Sequence, residues 1–88
     1  MKTQIATAKA PGAIGPYSQA IDTGSMVFVS GQIPVNPATG EIPEGIKAQS
    51  AQSLANVKAI LAEAGLTVDN VVKTTVFLSD MANFVPMN

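Results

Sequence analysis

Tyr17-Ser18-Gln19-Ala20-Ile21 and Met26-Val27-Phe28-Val29-Ser30-Gly31-Gln32, joined by Asp22-Thr23-Gly24-Ser25, read as the two strands and turn of a β-hairpin. β-Branched and aromatic side chains suit a pleated surface, and the Asp-Thr-Gly-Ser tetrapeptide supplies the turn chemistry between them. Met26–Val29 is apolar at every position, the pattern of a strand covered on both faces. Upstream, Gln4–Thr7 is long enough for a short edge strand. The intervening Ala8–Pro16 contains Pro11, Gly12, Gly15 and Pro16, which exclude regular structure and fix the path of a loop.

Downstream, Pro34–Gly45 forms a second loop. Within it Asn36-Pro37-Ala38-Thr39 fits a type I turn, followed by Gly40. The period then changes. Ile46, Leu54, Val57, Leu61 and Ala64 recur at helical spacing, with Ser50 filling the gap, and predict a helix over 46–64 with that stripe buried. Lys47, Gln49, Gln52, Asn56 and Glu63 fall mostly off the stripe, and Gly65 is placed to end the helix. Val71–Ser79 is β-branched and alternating, with Val72, Thr74, Val76 and Leu78 on one face, and predicts a further strand. Asp80-Met81-Ala82-Asn83 reads as a helix entry capped by Asp80, with Phe84 and Val85 opening an apolar stripe before Asn88. The order strand, hairpin, helix, strand predicts an α+β fold, a sheet packed on helices, in a single domain over 1–88.

The chain has 88 residues, of which 47% are hydrophobic and 12% charged, and a mean hydropathy of +0.28. That excludes intrinsic disorder. Apolar runs such as Met26–Val29 are far shorter than the roughly 20 residues of a spanning helix, and the N-terminus has no secretory apolar region, so no membrane association is expected. So apolar a composition in so small a domain points to surface covered by a partner subunit. There is no cysteine, which makes the cytoplasm the expected compartment. Histidine is absent too, so Cys/His metal sites and histidine acid–base chemistry are excluded; no metal or cofactor is expected. The five cationic residues are all lysines, and the net charge is −1. Without arginine or a basic cluster, nucleic acid is not an expected partner.

Three stretches together resemble the RidA (YjgF) family: Gly15-Pro16-Tyr17-Ser18-Gln19-Ala20-Ile21, Val27-Phe28-Val29-Ser30-Gly31-Gln32-Ile33-Pro34, and Val71-Val72-Lys73-Thr74-Thr75-Val76-Phe77-Leu78-Ser79-Asp80-Met81. The turn Asn36-Pro37-Ala38-Thr39-Gly40-Glu41 is similar as well, so the resemblance runs through essentially the whole chain in order. It implies a chorismate-mutase-like α+β fold and a homotrimer with clefts between subunits. The implied reaction is hydrolysis of 2-imino acids such as 2-iminobutanoate and 2-iminopropanoate, or their enamine tautomers, to 2-keto acids and ammonia. The resemblance places Tyr17, Ser30, Gly31 and Asn88 in the substrate cleft. It also implies an arginine that holds the carboxylate and a glutamate that activates water, both in a C-terminal segment beyond Asn88. The sequence therefore looks truncated relative to the family pattern, and the 88-residue chain alone is expected to have little or no deaminase activity.

Taken residue by residue, each candidate also has a plainer role. Tyr17 after Pro16 suits an amphipathic packing residue with its hydroxyl at the rim. Ser30-Gly31 suits a strand end at which glycine avoids a clash; alternatively, glycine admits a ligand to the backbone, and the Ser30 hydroxyl with neighbouring amides donates to a carboxylate. Asn88 suits a frayed terminus. Glu41, Glu44 and Glu63 read as solvated acids. Two other functions remain open: a trimeric module that binds small carboxylic acids without turnover, and an endoribonuclease or translation inhibitor, which the missing histidine and arginine argue against.

Overall fold

The computed structural model describes residues 2–87. Strands β1 (Thr3–Ile5), β2 (Ala20–Asp22) and β3 (Val27–Val29) form an antiparallel sheet in the order β1-β2-β3. Its register pairs Ile5 with Ala20 and Ala20 with Val29. The predicted hairpin forms, with Gly24 at φ 101° in the first of the two loop positions, where left-handed backbone is required. The Asp22 carboxylate accepts from the Gly24 amide at 2.8 Å and steadies the turn.

The strands are shorter than the sequence predicts, and hydrogen bonding explains one boundary. β1 ends at Ile5 because the Thr7 amide donates to the Gln19 side-chain oxygen (2.7 Å) rather than to a neighbouring strand. Val27 and Val29 pack on the core, whereas Met26 and Phe28 are exposed, so the second face of β3 is open in this chain.

Helix α1 spans Ile46–Glu63, as its period predicts. Past the Ala64 cap, Gly65 adopts φ 77°, its amide donates to Ala62 O (3.0 Å), and the Leu66 amide reaches back to Leu61 O (2.8 Å). This is a Schellman ending, which satisfies two otherwise free helix carbonyls. The buried face of α1 overlaps the predicted stripe, with Leu61 buried and Ile46, Ser50, Val57 and Ala64 half-buried, but is not centred on it. Asn56, Ile60 and Leu61 are buried, Gln49 and Gln52 are half-buried, and Leu54 is exposed. Apolar spacing missed this face because one of its central residues is a hydrogen-bonded amide.

The second correction concerns Val71–Ser79, which joins no ladder. Strand propensity becomes a strand only when a partner takes the backbone hydrogen bonds. Val72 (88% exposed), Val76 and Phe77 (92%) present their apolar chains to solvent. Between α1 and this segment lies a 3-10 turn (Val68–Asn70), capped by Thr67. After it, the Asp80 carboxylate accepts from the Ala82 amide at 2.9 Å, the predicted cap, and opens a 3-10 turn (Met81–Asn83) that leads into α2 (Phe84–Met87).

The core is small. Ile5, Ala10, Ala20 and Ile60 form it, with Val27, Val29, Ala59 and Ala64 packed around them. It lies where one face of the sheet, the first loop and the C-terminal half of α1 meet. Full burial of a side chain such as Ile60 contributes about 1.5–3 kcal/mol. Among the described residues, no helix is long and apolar enough to cross a membrane.

Candidate functional site

Gly15, at φ 114°, accepts through its carbonyl from the Tyr17 amide at 2.9 Å, a three-residue turn centred on Pro16. Proline holds the φ that this turn needs, so the loop delivers Tyr17 on a fixed course to the hairpin. Tyr17 is 48% exposed. Beyond β3, the Ser30 amide donates to Gln19 O (2.9 Å) and the Ser30 hydroxyl donates to Ser18 O (2.5 Å). Two consecutive carbonyls of the Tyr17 segment are thus held by one serine. Tyr17, Ser30 and Gly31 come together at the open end of the hairpin, opposite its turn. Asn88 lies outside the described residues.

These bonds change the donor inventory read from the sequence. The Ser30 hydroxyl proton and amide are both directed at the neighbouring strand, so Ser30 shapes the corner instead of presenting a donor. The exposed amide of Gly31 has no acceptor among the described residues. A methyl group added at Gly31 would meet no heavy atom within 4 Å, and its φ is not positive. Neither a clash nor a left-handed backbone within this chain therefore calls for glycine there.

The corner is a wall and not an enclosed pocket. One cavity of about 380 Å³ is lined by residues including Thr7, Gly12, Ala13 and Gln19. A second, of about 360 Å³, lies between α1 and the following segment, lined by Leu54, Val57, Lys58, Val68, Val71 and Thr74. Neither is lined by Tyr17, Ser30 or Gly31. Among the described residues, no three His, Cys, Asp or Glu side chains gather where a metal could be held.

Sequence reasoning passed over two residues. Gln19 (4% exposed) accepts from the Thr7 amide and donates to the carbonyls of Thr7 (3.1 Å) and Pro11 (2.7 Å). Asn56 (1% exposed) donates to Ile33 O (3.1 Å) and Val35 O (3.0 Å) and accepts from the Gln52 side chain. A signal for Asn56 was present: it lies four residues before Ile60, on the line that also carries Gln49, Ser53 and Ala64.

Residues 7–88 match the family model described as Endoribonuclease L-PSP. A RutC family protein of Haemophilus influenzae is 62% identical across the whole of this chain, which spans 68% of that protein. The 2-iminobutanoate/2-iminopropanoate deaminase of Escherichia coli is 57% identical across the whole chain, which spans 69% of it. Among solved structures, E. coli TdcF with bound serine superposes with a TM-score of 0.94 at 55% identity, over 97% of this chain and 67% of that one. The chain thus spans about two thirds of the length of these relatives. The α+β architecture is that of the YjgF and RidA structures. With the loop, hairpin and turn in their expected order and these identities along the full length, the chain belongs to the RidA (YjgF) family, the family of the Endoribonuclease L-PSP model.

Proposed function

We propose that this protein hydrolyses small 2-imino acids to 2-keto acids and ammonia, in the cytoplasm, in clefts between three copies of the chain. The observation that carries the reading is the 57% identity, without loss of any part of the chain, to a protein named 2-iminobutanoate/2-iminopropanoate deaminase. A second relative, TdcF, binds serine, which shares an α-carboxylate and α-nitrogen with such imines. In the reaction, water adds to the iminium carbon, a proton moves from the added oxygen to nitrogen, and the C–N bond breaks to release ammonia. The carbonyl stays on the acid. The substrate is already electrophilic, so binding and orienting it against water does most of what is required.

In this reading the Tyr17 ring forms one side of the wall, and its phenol hydrogen-bonds the substrate or the attacking water. The free Gly31 amide donates to the carboxylate. Ser30 holds the two segments together, and Asn88 contributes from the C-terminal side. A main-chain amide is a weaker anchor for a carboxylate than an arginine fork, and the chain has no arginine. The isolated 88-residue chain is therefore expected to show little or no turnover. Freshly generated 2-iminobutanoate, followed by keto-acid and ammonia release, tests this. A rate well above the spontaneous one would contradict the expectation. A polypeptide continuing past Asn88 with both an arginine and a glutamate should turn substrate over.

The missing arginine and the serine in TdcF also favour a second reading, a module that binds small acids without turnover. Calorimetric binding of 2-oxobutanoate by a longer polypeptide that has the arginine but gives no imine hydrolysis would select it. The ribonuclease label of the family model finds no histidine or arginine here to support it. RNA affinity that falls steeply with salt would restore it.

A further inference from the structure

Gln19 and Asn56 are the two buried polar side chains among the described residues, and both are carboxamides directed mainly at the main chain. Their targets bracket the corner. Gln19 grips Thr7 and Pro11 on the loop that leads to Tyr17. Asn56 grips Ile33 and Val35 on the segment that leaves Gly31. Gln19 is also the residue whose own carbonyl receives the Ser30 amide.

From this arrangement we infer that Gln19 and Asn56 are positioning residues: two buried amide clasps that fix the approach to Tyr17 and the exit from Gly31, so that the wall is ordered before ligand arrives. The inference rests on the proposed function of that corner. Neither side chain lies on the exposed surface at which a substrate would sit, so each acts through the segment it holds.

Only a carboxamide suits each place. At Gln19 one oxygen faces an N–H, while the nitrogen faces carbonyls of Thr7, Ala10 (3.4 Å) and Pro11. A glutamate would turn an acceptor toward those carbonyls, and an apolar chain would leave them unpaired. At Asn56 the nitrogen serves two carbonyls while the oxygen receives Gln52. An aspartate would lose both donors. The loop Ala8–Pro16 has no regular structure of its own, and its Tyr17 end is held by one tight turn. Its fixed course therefore depends on contacts such as the Gln19 clasp.

The test needs no ligand, because Tyr17 is the single tyrosine and there is no tryptophan. Its fluorescence anisotropy and acrylamide quenching report its order in the full 88-residue chain. Amide exchange reports each clasp: the Thr7 amide donates to Gln19 itself, and the Val35 amide donates to the Ile33 carbonyl (2.8 Å) that Asn56 also holds. Gln19→Met is expected to speed Thr7 exchange about tenfold and to free the Tyr17 ring, with Val35 unaffected. Asn56→Leu is expected to speed Val35 exchange about tenfold and leave Thr7 unaffected. Gln49→Met, at a half-buried glutamine that donates to Pro43 O, is the control and should move neither.

Residual circular dichroism at α1 shows that each variant folds. If a variant unfolds, Gln19→Asn and Asn56→Ser, which shorten the side chain without burying a charge, are read in the same way. Uniform acceleration at all amides, or an unchanged Tyr17 in a folded Gln19 variant, overturns the inference. Failure of the functional reading looks different: the clasps behave as described, yet no imine is hydrolysed and no small acid is bound.

Discussion

The Ser30 hydroxyl donates a 2.5 Å hydrogen bond to the main-chain carbonyl of Ser18, next to Tyr17. With the Ser30 amide on Gln19 O, it carries the pairing of β2 and β3 beyond the last ladder residues. Ser30→Ala removes one half-buried bond and leaves a carbonyl without its donor. The expected cost is about 1 kcal/mol. In a domain of this size that lowers the thermal midpoint by roughly 4–8 °C. Ser30→Thr keeps the hydroxyl and should recover most of the loss. Equal midpoints for wild type and Ser30→Ala would show that the bond does not hold the corner.

Two glycines should respond in opposite ways. Gly65 has φ 77°, where a side chain is strained, so Gly65→Ala is expected to cost about 1 kcal/mol and fray the end of α1. Gly31 has neither a positive φ nor a neighbour for a new methyl group. Gly31→Ala should therefore keep its stability within about 0.5 kcal/mol. Its expected loss is in association, either of small acids or of neighbouring chains. Chemical denaturation paired with calorimetry separates the two effects, and a Gly31→Ala protein that unfolds easily would contradict the assignment.

Much of the fold was legible in local chemistry. The hairpin follows from Asp22-Thr23-Gly24-Ser25, the helix end from Gly65, the Asn36 turn from Asn-Pro and Gly40, and the Met81 entry from Asp80. In each, a few adjacent residues satisfy one another. Illegible were features whose cause lies far along the chain. β1 stops where it does because Gln19, twelve residues on, takes the Thr7 amide. Asn56 is buried because the carbonyls of Ile33 and Val35 face it, and no apolar count finds an amide. Val71–Ser79 has strand chemistry with no strand to pair with. At the candidate site, sequence brought forward Tyr17, Ser30 and Gly31, but only the geometry showed that the Ser30 hydroxyl faces Ser18 and that the Gly31 amide has no acceptor among the described residues.

The revised face of α1 can be tested directly. Ile60 is fully buried in the core, whereas Leu54, part of the apolar stripe read from sequence, is 59% exposed. Ile60→Ala should cost about 2–5 kcal/mol, enough to unfold much of so small a domain. Leu54→Ala should cost no more than about 0.5 kcal/mol. Urea denaturation at low protein concentration measures both, and comparable losses at the two sites would restore the apolar stripe as the buried face.

Surface area bears on assembly. The chain exposes 6457 Å², whereas a compact monomer of 9.0 kDa exposes about 4,900 Å². The excess marks surface that another stretch of polypeptide would cover. Val72, Val76 and Phe77 in the segment that lacks a strand partner, and Met81 and Val85 just after it, are all exposed. Surface of this kind is rarely left to water in a stable monomer. Light scattering is therefore expected to give three times 9.0 kDa, with the assembly dissociating on dilution. Phe77→Lys places a charge on the open apolar segment and should yield a monomer with the α1 helix signal retained. A wild-type chain that stays at 9.0 kDa across a hundredfold range of concentration, folded and soluble, would refute the trimer and remove the shared cleft on which the proposed chemistry depends.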